Sequence, residues 1–119
     1  MGLVWKRFIL AVNDKDEMIG CGQLKPHGNE ILELASIAVV PEYRRQGIAS
    51  AIIEHLLKVS SRPLYLTCIS KMGPFYEKFG FVSLPYDEMP RYFQRLSKLA
   101  MAMMSLASRN ERLLVMKLQ

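Results

Sequence analysis

Cysteine, histidine and long hydrophobic runs are all scarce in this 119-residue chain, which has two cysteines and two histidines. Cys21 and Cys68 form no C-x-x-C pair, and neither stands with His27 or His55 at the spacing of a metal site. No apolar run approaches the ~18 residues that would indicate a membrane-spanning helix. We therefore expect no metal cofactor and no membrane partner.

The first residues, MGLVWKR, carry no signal-peptide pattern, because their apolar stretch is short and no small-residue cleavage site follows. Without an export signal, we expect a protein of the reducing cytoplasm. Half of the residues are hydrophobic, so the chain can bury a core, and its length fits one domain over residues 1–119. The net charge of +5 favours an anionic partner, which leaves nucleic acid, a membrane surface and a polyphosphate cofactor open.

Apolar periodicity predicts a single-domain mixed α/β fold. Strands are predicted at 8–12, 18–24, 31–40, 64–69, 81–84 and 113–118, with a turn at 26–29. Helices are predicted at 46–59, 74–79 and from about Met89 to Ala107. Short connections make the first three strands an antiparallel meander, whereas the helix at 46–59 crosses over to the strand at 64–69 and indicates a local parallel pair. We expect the helices to pack on both faces of the sheet.

The segment YRRQGIA at residues 43–49 lies between a predicted buried strand and a predicted amphipathic helix. The first N–H groups of a helix lack intrahelical partners and form its positive end, so an anion binds there readily. Gly47 allows the backbone to approach a phosphate closely, and Arg44 and Arg45 can add charge-assisted hydrogen bonds. A surface turn with two solvated arginines is the competing interpretation, and the position of the segment in the predicted fold favours phosphate binding.

These residues resemble the signature of the GNAT superfamily of N-acetyltransferases, Gln/Arg-x-x-Gly-x-Gly/Ala, which RRQGIA at 44–49 matches. A second match is PFYEKFGF at 74–81, which is similar to the Phe-Tyr-x-x-x-Gly-Phe ending of that family. The approach VVPEYR at 39–44 is also typical of it. The resemblance covers the chain from about Phe8 to Leu84, and the tail more loosely.

The resemblance implies an acetyl-CoA-dependent N-acetyltransferase with a splayed, V-shaped sheet. Pantetheine would lie between the strands at 31–40 and 64–69, and a backbone N–H near Val39 would hold the thioester carbonyl. The acetyl group would pass directly to a primary amine. The expected cofactor-binding residues are Ala38, Val39, Arg44, Arg45, Gln46, Gly47, Ile48, Ala49 and Ser50.

The chain departs from the family at its start, where the usual first strand and two helices are shortened or missing before Phe8. Since those helices help to wall the acceptor site, we expect an open site, a site completed by a second subunit, or weakened catalysis. The last strand could pair across subunits, which leaves a homodimer open.

Two residues are our candidates for the chemistry. Tyr76 matches the family position that gives a proton to the departing thiolate, although an aromatic core residue beside Phe75 and Phe79 is the competing interpretation. Glu33, in an otherwise apolar strand, is the candidate base. The competing interpretation is a glutamate that points outward from its strand. Cys68 is expected to be a small buried strand residue, because no histidine is placed to activate it, and His27 is expected to be exposed in a turn.

Three functions remain from the sequence. The first is an active N-acetyltransferase, with acetyl-CoA as cosubstrate and an unidentified amine as acceptor. The second is a CoA-binding interaction or regulatory module with little catalysis. The third, a nucleic-acid-binding domain, is disfavoured because aromatic and basic residues do not interleave on one strand face, and we expect no nucleic-acid partner.

Overall fold

The computed structural model describes residues 8–28, 31–106 (side chains as far as Met103) and 112–119. Its contacts divide the chain into two compact units, one reaching to Arg62 and one beginning at Pro63. The strands are β1 Phe8–Val12, β2 Met18–His27, β3 Ile31–Val39, β4 Leu64–Ile69, β5 Val82–Ser83 and β6 Leu113–Leu118. The α-helices are α1 Ile48–Val59, α2 Gly73–Glu77 and α3 Arg91–Leu106.

The first unit is an antiparallel meander of β1, β2 and β3 with α1 packed on one face. Alternate residues of a strand point to opposite faces, so the glycines of β2 at positions 20 and 22 leave room for the helix on one side. A Cβ on Gly22 would lie 2.7 Å from both Ile37 Cδ1 and Ile52 Cγ2. The helix therefore packs directly on the β2 backbone, with Ile52, Ile53 and Leu56 as its buried face.

The second unit pairs β6 with β4 along one edge and with the short β5 along the other, both antiparallel. Its core contains Phe81, Phe93 and Met116, which are at most 2% exposed. Phe93, from α3, stacks on Tyr65 of β4 with ring centroids 5.4 Å apart. Burial of such an aromatic ring contributes about 1.5–3 kcal/mol to the free energy of folding. This pair therefore stabilises the packing of α3 on the strands of its unit.

The predicted mixed α/β fold class is confirmed, and the first three strands are antiparallel as predicted. One boundary differs clearly, because β2 continues through Pro26 to His27, where we predicted a turn. Pro26 pairs with Leu32 inside the ladder, and a proline fits a strand where no N–H donor is required. Within the described ranges, no helix has both the length and the apolar character needed to cross a membrane.

Candidate functional site

The chain leaves β3 through a short, tightly bonded turn. The N–H of Val40 donates to the carbonyl of Ile19 at 2.8 Å, and a 3-10 turn follows at Pro41–Tyr43. Arg44 then folds back, and its Nε–H donates to the Val39 carbonyl at 3.0 Å. This contact fixes the first arginine of the predicted phosphate-binding segment against the end of β3.

Two residues of the segment have left-handed backbone conformations. Arg45 has φ 66°, and Gly47 has φ 80° and ψ 8°. The left-handed region costs about 1–2 kcal/mol for a residue with a Cβ, so strain at Arg45 has to be compensated by the surrounding turn. Gly47 is the N-cap of α1, and its carbonyl accepts the first helical hydrogen bond from the N–H of Ala51 at 3.0 Å.

The N-terminal turn of α1 therefore presents N–H groups that precede the first helical hydrogen bond, at Ile48, Ala49 and Ser50. Gly47 provides no side-chain cap for them. A Cβ on Gly47 would meet no atom of the described residues within 4 Å, so the space above this glycine is open. Open space, N–H groups without intrahelical partners and the positive end of a helix dipole together suit an anionic ligand.

One turn brings together the residues predicted to bind the cofactor, from the end of β3 to the start of α1. The four residues from Arg44 to Gly47 are exposed, whereas Ile48, Ala49 and Ser50 are partly buried against the unit. The predicted binding roles of these residues remain predictions. The structure adds that at this strand end the Val39 carbonyl already accepts a hydrogen bond from Arg44 and the Val40 N–H already donates to Ile19.

A β-bulge in β3 was not predicted from the sequence. Ala35 pairs with Gln23 and Ala38 with Cys21, so β3 carries one residue more than β2 between these pairs. The extra residue is accommodated at Ser36, which has φ 59°. Its hydroxyl donates to Gln23 Oε1 at 3.0 Å and its carbonyl accepts from the Cys21 thiol at 3.3 Å, which holds the bulge in place.

Glu33, the candidate base, is buried at 8% relative exposure. It pairs with Lys25 across the ladder and lies on the face opposite α1. Its Oε1 is 2.6 Å from Nε2 of His27, the diagonal neighbour on β2. Our expectation of an exposed His27 is therefore wrong, because the extension of β2 turns this imidazole onto the same face as Glu33.

Tyr76, the candidate acid, lies in α2 of the second unit and is partly buried. Its ring makes edge contacts with Phe75 and Phe81, at centroid distances of 5.1 and 6.3 Å. Burial raises the pKa of the Tyr76 hydroxyl, and the charge of a Cys68 thiolate would raise it further. The hydroxyl is therefore fully protonated at neutral pH, as a proton donor must be.

Cys68 lies in β4, and its thiol is 3.8 Å from the sulfur of Met116. Burial raises the pKa of this thiol, which keeps it in the weakly nucleophilic protonated form. Cys68 is a strand residue, as we expected, but it is partly buried rather than buried. Among the described residues, no group of three or more His, Cys, Asp or Glu side chains is placed to hold a metal ion.

A family model described as "Acetyltransferase (GNAT) domain" matches residues 5–83. The chain belongs to the GNAT acetyltransferase family. The match contains β1 to β5, the turn at the start of α1 and Tyr76.

Similar proteins agree with this GNAT assignment. An uncharacterized N-acetyltransferase of Bacillus pumilus is 34% identical over 61 residues, which are 51% of this chain and 38% of that protein. A probable acetyltransferase from Staphylococcus aureus is 31% identical, with a TM-score of 0.54, over 67% of this chain and 65% of that one.

An N-acetylglutamate synthase from Neisseria gonorrhoeae, solved with coenzyme A and N-acetyl-glutamate, shares the fold at a TM-score of 0.67 and 21% identity. The match covers 95% of this GNAT chain and 26% of the synthase. The chain thus spans well under half the length of the B. pumilus relative and about a quarter of the synthase.

Proposed function

We propose that this GNAT protein transfers the acetyl group of acetyl-CoA directly to a primary amine of a small molecule or peptide. The observation that carries the proposal is the turn at the start of α1. There Gly47 has a positive φ and open space above it, and the N–H groups that follow it have no intrahelical partner. In the proposal, the pyrophosphate of coenzyme A accepts hydrogen bonds from these groups, and Arg44 and Arg45 supply positive charge.

In the proposed reaction, the amine nitrogen attacks the thioester carbonyl carbon, and the C–S bond breaks as the new C–N bond forms. The products are the acetylated amine and coenzyme A. An amine with a pKa of ~10.4 must first lose its proton, which Glu33 would accept through water. The departing thiolate would take the proton of Tyr76, whose raised pKa keeps that proton in place until it is needed. The second proton of the attacking nitrogen would leave to solvent water, from which Tyr76 would regain its own proton.

The decisive experiment is an acetyl-transfer screen over amino acids, polyamines, aminoglycosides and lysine peptides, which measures coenzyme A release. The expected result is turnover with at least one class, lost in Tyr76→Phe and reduced in Glu33→Gln. Glu33→Gln is a fair test because a glutamine carbonyl can still accept a hydrogen bond from His27. Tight acetyl-CoA binding with no turnover across the whole panel would refute the catalytic part of the proposal.

A CoA-binding module with little catalysis is the second candidate, and one contact favours it. Glu33 Oε1 already contacts His27 Nε2 at 2.6 Å, which uses one of the acceptor positions of the carboxylate and leaves fewer for an amine or a bridging water. Calorimetric binding of acetyl-CoA without consumption in the same screen would support this module. Turnover that depends on Glu33 would exclude it.

A further inference from the structure

The tight turn between β1 and β2 is organised by the side chain of Asn13. Its Oδ1 accepts hydrogen bonds from the backbone N–H of Lys15 at 2.9 Å and of Glu17 at 3.0 Å. The Asn13 backbone closes the same turn, because its N–H donates to the Glu17 carbonyl and its carbonyl accepts from Asp16. Asp16 takes a left-handed conformation there, with φ 61°.

The amide nitrogen of Asn13 makes two further bonds. Its Nδ2 donates to Glu17 Oε1 at 2.8 Å and to the hydroxyl of Tyr43 at 3.0 Å. A carboxamide has two acceptor lone pairs and two donor hydrogens, and all four are used here. The orientation of the amide is therefore fixed, since turning it over would set its NH₂ group against two backbone N–H donors.

Tyr43 is the last residue of the 3-10 turn that leads into the phosphate-binding segment. Its backbone N–H donates to Val40 at 2.9 Å, and the next residue, Arg44, donates to Val39. These bonds are local in sequence, whereas the hydroxyl bond to Asn13 spans 30 positions. It connects the residue before the exposed segment 44–47 with a turn that is held by four hydrogen bonds of its own, two from its backbone and two to Asn13 Oδ1.

We propose that the Asn13–Tyr43 hydrogen bond holds the segment in its anion-binding conformation, which makes Asn13 a positioning residue for the coenzyme A pyrophosphate. The inference rests on the proposed function, because it assigns a task within the same cofactor site. Neither side chain needs to touch the cofactor. A segment with left-handed residues at Arg45 and Gly47 is costly to order, and ordering it before binding increases affinity.

The hydroxyl deletion Tyr43→Phe tests the inference. Loss of one part-buried hydrogen bond corresponds to about a three- to tenfold weaker affinity for coenzyme A, measured by calorimetry. The KM for acetyl-CoA should rise by the same factor while kcat stays unchanged. With S-acetylpantetheine as donor, which lacks the pyrophosphate, KM should not change.

A double-mutant cycle separates positioning from simple stabilisation. Asn13→Ala and Tyr43→Phe should be non-additive, so that the double variant binds coenzyme A about as weakly as Asn13→Ala alone. Glu17→Ala is the matched control, because it removes the other Nδ2 partner within the same turn and leaves the Tyr43 bond intact. It should lower the melting temperature without changing coenzyme A affinity.

Each contrary outcome is distinct. Unchanged coenzyme A affinity in Tyr43→Phe, or an equal loss with S-acetylpantetheine, would overturn the positioning role alone. Additive effects in the cycle would do the same. Failure of the unaltered chain to bind coenzyme A would overturn both the proposed function and this inference.

Discussion

Nε2 of His27 lies 2.6 Å from Oε1 of Glu33, and the two side chains are only 14% and 10% exposed. The two residues are diagonal neighbours on β2 and β3, on the sheet face opposite α1. A buried carboxylate requires a partner, because leaving it without one costs the desolvation of the group. The contact thus has a structural task whether or not Glu33 also acts in catalysis.

We predict that His27→Ala lowers the free energy of unfolding by about 1–3 kcal/mol, since it removes a hydrogen bond from a buried acceptor. Urea denaturation of both proteins would measure the difference. His55→Ala is the control, because His55 is exposed on α1 and its loss should change stability by less than about 0.5 kcal/mol. Equal stabilities for the His27 and His55 variants would show that the pair contributes nothing to the fold.

We predict that loss of the Tyr76 hydroxyl proton sets the alkaline limit of turnover. Burial, and then the charge of Cys68, raise the pKa of Tyr76, so its hydroxyl stays protonated beyond the ordinary tyrosine value of about 10. Activity that depends on this proton should be retained through mildly alkaline pH and fall only above that value. Tyr76→Phe should lower kcat by about 10²–10⁴ and remove this alkaline limb.

Kinetics over a pH series would measure this effect, with Tyr86→Phe as control. Tyr86 is an exposed tyrosine of the same unit, and losing its hydroxyl should leave the profile unchanged. An alkaline limb that persists in Tyr76→Phe would assign the titration to another group.

Cys68→Ser is expected to leave kcat close to that of the unaltered protein. Burial raises the pKa of the Cys68 thiol, so little thiolate is present at neutral pH to attack the thioester. Intact-protein mass spectrometry after mixing with acetyl-CoA alone should show no acetyl adduct. A stable adduct on Cys68, or loss of turnover in the serine variant, would argue for an acyl-enzyme instead of direct transfer.

Two glycines form a matched pair for testing the anion site. Gly47 and Gly28 have φ values of 80° and 76°, and a Cβ on either would meet no atom within 4 Å in the part of the chain that the structure describes. Alanine at each position should therefore cost a similar strain of about 1–2 kcal/mol. Only Gly47→Ala should also weaken coenzyme A binding, by about tenfold or more.

Calorimetry and thermal unfolding of the two alanine variants would measure both effects. If Gly28→Ala weakened coenzyme A binding as much as Gly47→Ala, the loss would come from general destabilisation rather than from a blocked anion site.

The elements that depend on buried apolar periodicity could be predicted from the sequence. The strands at 64–69 and 113–118 have the predicted bounds, and each buries apolar side chains. The strand at 8–12 also has the predicted bounds, although Leu10 and Val12 are exposed. The helix over 46–59 begins two residues later, at Ile48, since the left-handed Gly47 serves as its cap. The turn at the start of α1 could be located because a glycine at the start of a helix is visible in the sequence itself, and its phosphate-binding role stays a prediction.

The side-chain partnerships could not be predicted in the same way. His27 meets Glu33 only because β2 continues past Pro26, and the pairing register decides which residues become diagonal neighbours. Asn13 and Tyr43 are separated by 30 positions, and no local pattern relates them. The bulge could not be predicted because Ser36 has a positive φ, a conformation that a glycine in the sequence would have indicated.

The bulge at Ser36 decides which side chains of β3 lie on the same face of the sheet. In a regular strand, positions 33 and 38 would point to opposite faces, because they differ by an odd count. With one residue inserted at Ser36, Glu33 and Ala38 lie on the same face, and Leu34 and Ile37 share the other, beside α1. Deletion of a single residue at the bulge would move the side chains of one half of the strand to the opposite face of the sheet, relative to the other half. In β3, the number of residues between Glu33 and the turn at Pro41–Tyr43 therefore matters as much as their identity.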